Sequence, residues 1–271
     1  MTTAATRQLT PAASTSDTSQ AVNGAGESEF PQRLRRDHAY LEVLIPARNE
    51  AGRLPRTLER TVRYLENQPY SAAVVVIDNG SFDHTTDIAA AARSRRVPIY
   101  VTGCARPGKG AAVRHGFLGS TADYVGYMDA DLATPIETLD VVVPMLAHHA
   151  AVVASRRVTG AVLAKRQPLS RSVGGMIFHR LAHRVLPEVA DTQCGFKFFA
   201  GDLARKVASR LTIDGFAFDV EMLRAIRDLG GEIKEVPVVW TDSRGSSLNP
   251  FRDGTQATME LYRLMQQTRA A

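Results

Sequence analysis

Tyr124-Val125-Gly126-Tyr127-Met128-Asp129-Ala130-Asp131-Leu132 is the stretch on which the fold turns. A short apolar run passes straight into two carboxylates spaced two residues apart. In extended chain that spacing puts both on one side. Paired hard oxygens at the carboxyl end of a strand can hold Mg²⁺ or Mn²⁺, which keeps waters and bridges to substrate phosphates instead of sitting in a full protein cage. Alone, an Asp-x-Asp is a weak signal that a solvated turn also explains. Its position after a strand in an α/β pattern is what favours the metal.

Working outward, the chain before this stretch alternates apolar runs with helical stripes: strand 41–46, helix from Pro55, strand 73–78, helix from Thr85, strand 98–102 and helix from Gly110. The unbroken Val74-Val75-Val76-Ile77 run suits a parallel strand covered on both faces, and Leu54, Leu58, Val62 and Leu65 form one stripe of the helix beside it. After the carboxylates, Thr134-Pro135-Ile136-Glu137 reads as a capping box with Pro at the first helical position. Strand 151–155, helix 172–186, a Phe-rich strand after Gly195, helix 219–229, an edge-type strand 233–240 containing Pro237 and a C-terminal helix from Thr255 follow. The pattern is one α/β domain with a mostly parallel central sheet.

Three further segments fall at the same carboxyl edge, where open α/β sheets bind ligands. The first strand ends in Pro46-Ala47-Arg48-Asn49-Glu50 and the second in Asp78-Asn79-Gly80-Ser81. Asp78 is placed to accept bonds from a base or ribose, whereas Ser81 and Asp83 are explained equally well as caps of the next helix. Gly108-Lys109-Gly110 opens a helix and offers backbone N–H groups with a cation beside them, or else a solvated loop lysine. It lacks the spacing of a Walker loop and the following Ser or Thr, so a P-loop ATPase is discounted.

Of the 271 residues, 44% are hydrophobic and 23% charged, and the formal net charge is +5, which suits anionic partners without choosing among them. Cys104 and Cys194 form no CxxC pair or Cys/His cluster, which argues against a disulfide framework or structural zinc and fits a reducing cytoplasm. The apolar runs are shorter than the roughly 18 residues of a membrane span, and the first residues lack a secretory h-region. Residues 1–37 are Ser/Thr/Ala/Gln-rich and read as a disordered leader ending in the solvated basic run Arg33-Leu34-Arg35-Arg36; residues 38–271 are the folded domain. Aromatic residues are 7% and no basic-aromatic module is visible, so nucleic acid is not an expected partner. No Ser-hydrolase elbow or His-nucleophile pattern occurs.

With these residues in view, the chain resembles the family-2 glycosyltransferases of GT-A fold, and within them the polyprenyl-phosphate sugar synthases. The resemblance runs from about Leu41 to Phe251. Besides the segments above it rests on Gly108-Lys109-Gly110-Ala111-Ala112-Val113-Arg114, Asp191-Thr192-Gln193-Cys194-Gly195-Phe196-Lys197, Phe216-Ala217-Phe218-Asp219-Val220-Glu221, Trp240 and Gly245-Ser246-Ser247-Leu248-Asn249-Pro250-Phe251. It implies a UDP-sugar donor, glucose first and N-acetylglucosamine second. Pro46, Ala47, Arg48, Glu50, Asp78, Asn79, Lys109 and Ala130 would surround that donor, and Asp129 and Asp131 would hold Mg²⁺ or Mn²⁺ on its diphosphate. Asn79 departs from the second Asp of many relatives, and the membrane anchor common in lipid-linked relatives is not seen.

For the acceptor, a polyprenyl phosphate is already an anionic nucleophile and needs cations, which Arg156, Arg171, Lys197 and Arg244 offer, with Ser246 beside them. A soluble small-molecule hydroxyl would instead need a base, Asp191 first and Asp219 second; a turn brace and a helix cap are the structural alternatives for these two. The helix 172–186 carries His179, Arg180, His183 and Arg184 opposite apolar residues, which fits either peripheral contact with the inner face of a membrane or ordinary core packing. A noncatalytic nucleotide-sugar-binding protein and a nucleotidyltransferase are the other classes that would use such a sheet edge.

Overall fold

The computed structural model describes residues 36–164, 169–241 and 252–270. In chain order the elements are β1 (Leu41–Ala47), α1 (Leu54–Glu66), β2 (Ala72–Asp78), α2 (Thr85–Ala91), β3 (Ile99–Gly103), α3 (Lys109–Gly119) and β4 (Tyr124–Met128). Then come α4 (Leu139–Leu146), β5 (Ala151–Ser155), β6 (Val162–Leu163), α5 (Leu169–Val185), β7 (Phe196–Ala200), α6 (Gly201–Ala208), α7 (Phe218–Asp228), β8 (Ile233–Pro237), β9 (Val239–Trp240) and α8 (Arg252–Ala270).

Seven strands form one sheet in the order β3-β2-β1-β4-β7-β5-β8. Only β7 runs against its neighbours, pairing antiparallel with both β4 and β5. Alternate side chains of each strand enter opposite layers. Val74 and Val76 pack with Leu54, Leu58 and Leu65 of α1, while Val75 and Ile77 pack with Val113 and Phe117 of α3. Two covered faces are the reason β2 tolerates no polar residue before Asp78. The chain order reverses at β1: β2 and β3 extend to one side of it and β4 lies on the other. The carboxyl ends of β1 and β4 therefore flank a topological switch point, the place where open α/β sheets bind ligands.

Several expectations need correction. The helix after the paired carboxylates does not start in a capping box: residues Ile136–Thr138 make a 3₁₀ turn, α4 begins only at Leu139, and Pro135 sits outside it with ψ 142°. Thr134 turns its hydroxyl to Cys194 Sγ at 3.6 Å instead. The edge strand 233–240 splits after Pro237 into β8 and β9, and β9 leaves the main sheet to pair in parallel with β6. Helix α6 was not anticipated. The expected leader lies outside the described residues except at its end, and there Arg36 is not solvated: its guanidinium is buried and donates to Glu42 at 3.2 Å. No described helix is long and apolar enough to cross a membrane.

Candidate active site

Three strand ends build the candidate site. From β4 come Asp129 and Asp131, both half-buried, with Asp129 N–H held by Gly195 O at 3.0 Å and Ala130 O accepting the Thr57 hydroxyl of α1 at 2.6 Å. Leu132 closes this turn at φ 54°, a strained conformation for a bulky residue, which fixes the loop in an unusual course. Gly195 is required by close approach, since a Cβ there would stand 2.0 Å from Asp129 Oδ2.

From β1, Pro46 and Ala47 lie in or beside the core, Arg48 is exposed, and Glu50 chelates Arg53 of the next turn at 2.6 and 2.7 Å. Burial pushes the Glu50 carboxyl up, against the pull of Arg53, and the charges of Asp131 and Asp129 add to the rise. Asp131 is likewise raised by burial and by Asp129. From β2, Asp78 is half-buried and accepts the Ser81 N–H at 3.3 Å. Asp83, as the capping alternative held, accepts Thr85 N–H at 3.0 Å at the start of α2; Ser81 instead accepts Asn49 N–H.

Asn79 is buried and braces the loop before α3. Its amide nitrogen donates to Arg106 O at 2.7 Å and its amide oxygen accepts Gly108 N–H at 2.7 Å. An aspartate cannot make the first of these bonds, which accounts physically for Asn at this position. Gly108 has φ 123°, where only glycine is unstrained, and this conformation launches Lys109 toward β4. Lys109 Nζ reaches Asp129 Oδ1 at 2.6 Å. Burial pulls its ammonium down, but Asp129 and Asp219 outweigh that and leave it raised, so it is charged at neutral pH.

Behind the carboxylates lies a second charged layer. Tyr127 is fully buried and donates its hydroxyl to Asp219. Lys197 is also fully buried, donating to Asp219 Oδ1 and Cys194 O at 2.6 Å each. The ammonium groups of Lys109 and Lys197 lie 5.6 and 5.4 Å from the Tyr127 ring centre. These positions correct two expectations. Lys197 cannot touch an acceptor phosphate from the sheet interior, and Asp219 is neither a helix cap nor an open base, because its carboxylate is buried and committed to Tyr127 and Lys197.

At the other side, Arg156 follows β5 and grips Asp191 with Nε at 2.7 Å and Nη2 at 2.9 Å, while its guanidinium lies 5.5 Å from the Trp240 ring centre. Asp191 also accepts Arg156 N–H at 3.0 Å and Gln193 N–H at 3.1 Å. Burial acts to raise its carboxyl, but the hydrogen bonds and charge of Arg156 overcome it and hold the pKa at about 2. Arg171 lies in α5 with its side chain outside the described set, and Arg244 and Ser246 lie outside the described residues. Thr57, whose hydroxyl holds Ala130 O, is a contributor to which no sequence motif pointed, because a helix threonine carries no local sign of its partner.

An acid-stability prediction follows from the Asp191 pair. An unfolded aspartate titrates near ~3.9, and the folded value is about 2. A depressed folded pKa supplies stability that is fully present above the unfolded value and lost as pH falls through the folded one, here about 2 kcal/mol between roughly pH 4 and 2. Denaturant unfolding of Asp191→Asn should therefore show a stability deficit that narrows by that amount between pH 5 and 2. A deficit independent of pH would contradict the pairing.

Among the described residues no group of three or more His, Cys, Asp or Glu could hold a metal. The donor set nevertheless fits Mg²⁺ or Mn²⁺. Asp129 and Asp131 are both half-buried, burial and the Asp129 charge raise the Asp131 carboxyl, and oxygens of a diphosphate and water would complete such a shell. An Asp-x-Asp after the strand at a topological switch point, ion-paired with a lysine at a helix start, fits a glycosyltransferase of GT-A architecture. The chain belongs to glycosyl transferase family 2, whose family model matches residues 42–207. It is 32% identical to the dolichyl-phosphate beta-glucosyltransferase of Dictyostelium discoideum, covering 90% of this chain and 80% of the relative. The human dolichyl-phosphate beta-glucosyltransferase is 31% identical over 89% and 79%. Among solved structures, glucosyl-3-phosphoglycerate synthase from Mycobacterium tuberculosis, in complex with Mn²⁺, UDP and glucosyl-3-phosphoglycerate, shares the fold with a TM-score of 0.65 at 18% identity, over 82% of this chain and 78% of that one.

Proposed function

We propose that this glycosyltransferase moves a sugar, glucose first and N-acetylglucosamine second, from a UDP-sugar to a polyprenyl phosphate with inversion at the anomeric carbon. The observation that carries the acceptor choice is the state of Asp191. A hydroxyl acceptor needs a base near neutral pKa, whereas Asp191 is held at about 2 by a bidentate arginine. An acceptor that is already an anion needs no base and is drawn by positive charge, which Arg156 and the exposed Arg157 beside it supply. Curated relatives named for a dolichyl-phosphate acceptor support the same reading.

In this reading Asp78, Pro46, Ala47 and Arg48 meet the nucleoside, Asn79 holds the loop that delivers Lys109, and Lys109 faces the diphosphate. A divalent cation on Asp129 and Asp131 would neutralise charge on the departing UDP. A phosphate oxygen of the acceptor forms its bond to the anomeric carbon as the bond to UDP breaks, and the electron pair leaves with UDP. Asp191 acts as a positioning residue that orients Arg156. In the same reading residues 38–271 form the glycosyltransferase domain, and the protein acts in the cytoplasm, in peripheral contact with the inner face of a membrane.

The test is a panel of radiolabelled UDP-sugars offered to polyprenyl phosphate and to soluble hydroxyl acceptors. Label should enter the organic phase as an acid-labile product with release of UDP. Label confined to a water-soluble, acid-stable glycoside would refute the acceptor, and release of pyrophosphate from UTP and a sugar phosphate would refute transfer itself. Gly195→Ala provides a more local check. Its Cβ would displace the Asp129 carboxylate, so Mn²⁺ affinity measured calorimetrically in the presence of UDP should fall about 10- to 100-fold. Unchanged affinity would remove Asp129 from the cation site.

A further inference from the structure

Lys109 holds an oxygen that a divalent cation would also need. Its Nζ lies 2.6 Å from Asp129 Oδ1. Gly195 crowds the other oxygen more closely: a Cβ added there would stand 2.0 Å from Oδ2 and 2.6 Å from Oδ1, so Oδ1 is the less hindered of the two. An ammonium and a divalent cation drawn to one oxygen repel each other at close range. The backbones on both sides are fixed, because Asp129 N–H is held by Gly195 O at 3.0 Å and Gly108 N–H, directly before Lys109, by Asn79 Oδ1 at 2.7 Å. What can move is the four-carbon stem of the lysine. Its side chain is 18% exposed and that of Asp129 40%, so the pair borders solvent and is not sealed in the core. Behind it, Asp219 is already committed to Tyr127 and Lys197 and offers Lys109 no second seat.

We propose that Lys109 is an exchangeable counter-cation: it neutralises Asp129 in the empty site, yields Oδ1 when a divalent cation enters with the nucleoside diphosphate, and swings onto the diphosphate oxygens. The inference rests on the cation and UDP reading given under Proposed function. It adds to that reading an internal competitor for the metal, and hence a coupling between the two ligands. The divalent cation alone must displace Lys109 with no anion to receive it, whereas the cation with UDP brings the anion that does. By linkage, each ligand then strengthens the other by one and the same factor.

The test measures Mn²⁺ binding to the full chain by paramagnetic resonance of the free ion, at about pH 8 so that carboxylates are ionised. Wild type, Lys109→Met and Lys109→Gln are compared with and without UDP. Without UDP, both variants should bind Mn²⁺ about tenfold or more tighter than wild type, since the competitor is gone. With UDP, the Mn²⁺ affinities of variants and wild type should converge, so the gain that UDP gives to Mn²⁺ binding shrinks in the variants by that same factor. Lys109→Gln keeps a polar side chain without the charge and carries the test if the methionine variant fails to fold; a Mn²⁺-induced rise in Tm larger than that of wild type reports the exchange independently. Mn²⁺ affinity without UDP that is unchanged or weaker in the variants would overturn the inference. Equal tightening with and without UDP would overturn it too, by making Lys109 a stationary neighbouring charge. If wild type binds no Mn²⁺ even with UDP, the cation reading itself fails and takes the inference with it.

Discussion

Lys197→Met is expected to destabilise the protein by about 3–5 kcal/mol, because it strips the buried Asp219 carboxylate of its counterion. Lys197 is 0% exposed in side chain and Asp219 4%. With the ammonium gone, Asp219 keeps only the Tyr127 hydroxyl, and Cys194 O loses the donor that satisfied it. For a domain of this size the loss corresponds to a fall in Tm of about 10 °C. Lys197→Met/Asp219→Asn should recover at least half of it, since the neutral amide needs no cation yet still accepts from Tyr127. Differential scanning calorimetry on the two variants decides the matter. A Tm within about 2 °C of wild type for Lys197→Met would mean that the pair contributes nothing.

Asp129→Asn should leave the fold standing and nearly abolish turnover. The substitution removes the like charge that raises Asp131 and Glu50, so the stability cost is small even though Lys109 loses its partner. The account assigns Asp129 to the cation that offsets charge on the leaving diphosphate, and losing one such electrostatic contact costs about 10²- to 10³-fold in kcat. Lys109→Met should cost less, because that cation faces the diphosphate without carrying the metal. Steady-state release of UDP measures both. An Asp129→Asn enzyme within tenfold of wild type would contradict the assignment.

The fold was legible where burial is two-sided or periodic. Val74 to Ile77 could only be a covered strand, and the stripe of Leu54, Leu58, Val62 and Leu65 could only face it. The paired carboxylates were legible because strand period places them together whatever packs around them. Lys197 and Asp219 misled for the opposite reason: lysine and aspartate are normally solvated, and nothing local says that they meet across 22 residues inside the sheet. Arg36 hid in a run of basic residues in the same way, its partner Glu42 lying on a strand that otherwise buries apolar groups. Helix α6 starts on a glycine, which masks its onset, and two-residue strands such as β6 and β9 are too short to show a period. The Thr134 capping box had the right residues, but its hydroxyl was claimed by Cys194.

In the proposed reaction the carboxyl edge of the sheet binds a uridine diphosphate through a cation held by Asp129 and Asp131. The most direct measurement is isothermal calorimetry of UDP and GDP into the full chain, with Mn²⁺ and with EDTA, repeated on Asp129→Asn/Asp131→Asn. The account predicts UDP binding that Mn²⁺ strengthens by at least about tenfold, weaker binding of GDP, and no metal effect in the double variant. Metal-dependent UDP binding of wild-type strength in that variant would contradict it.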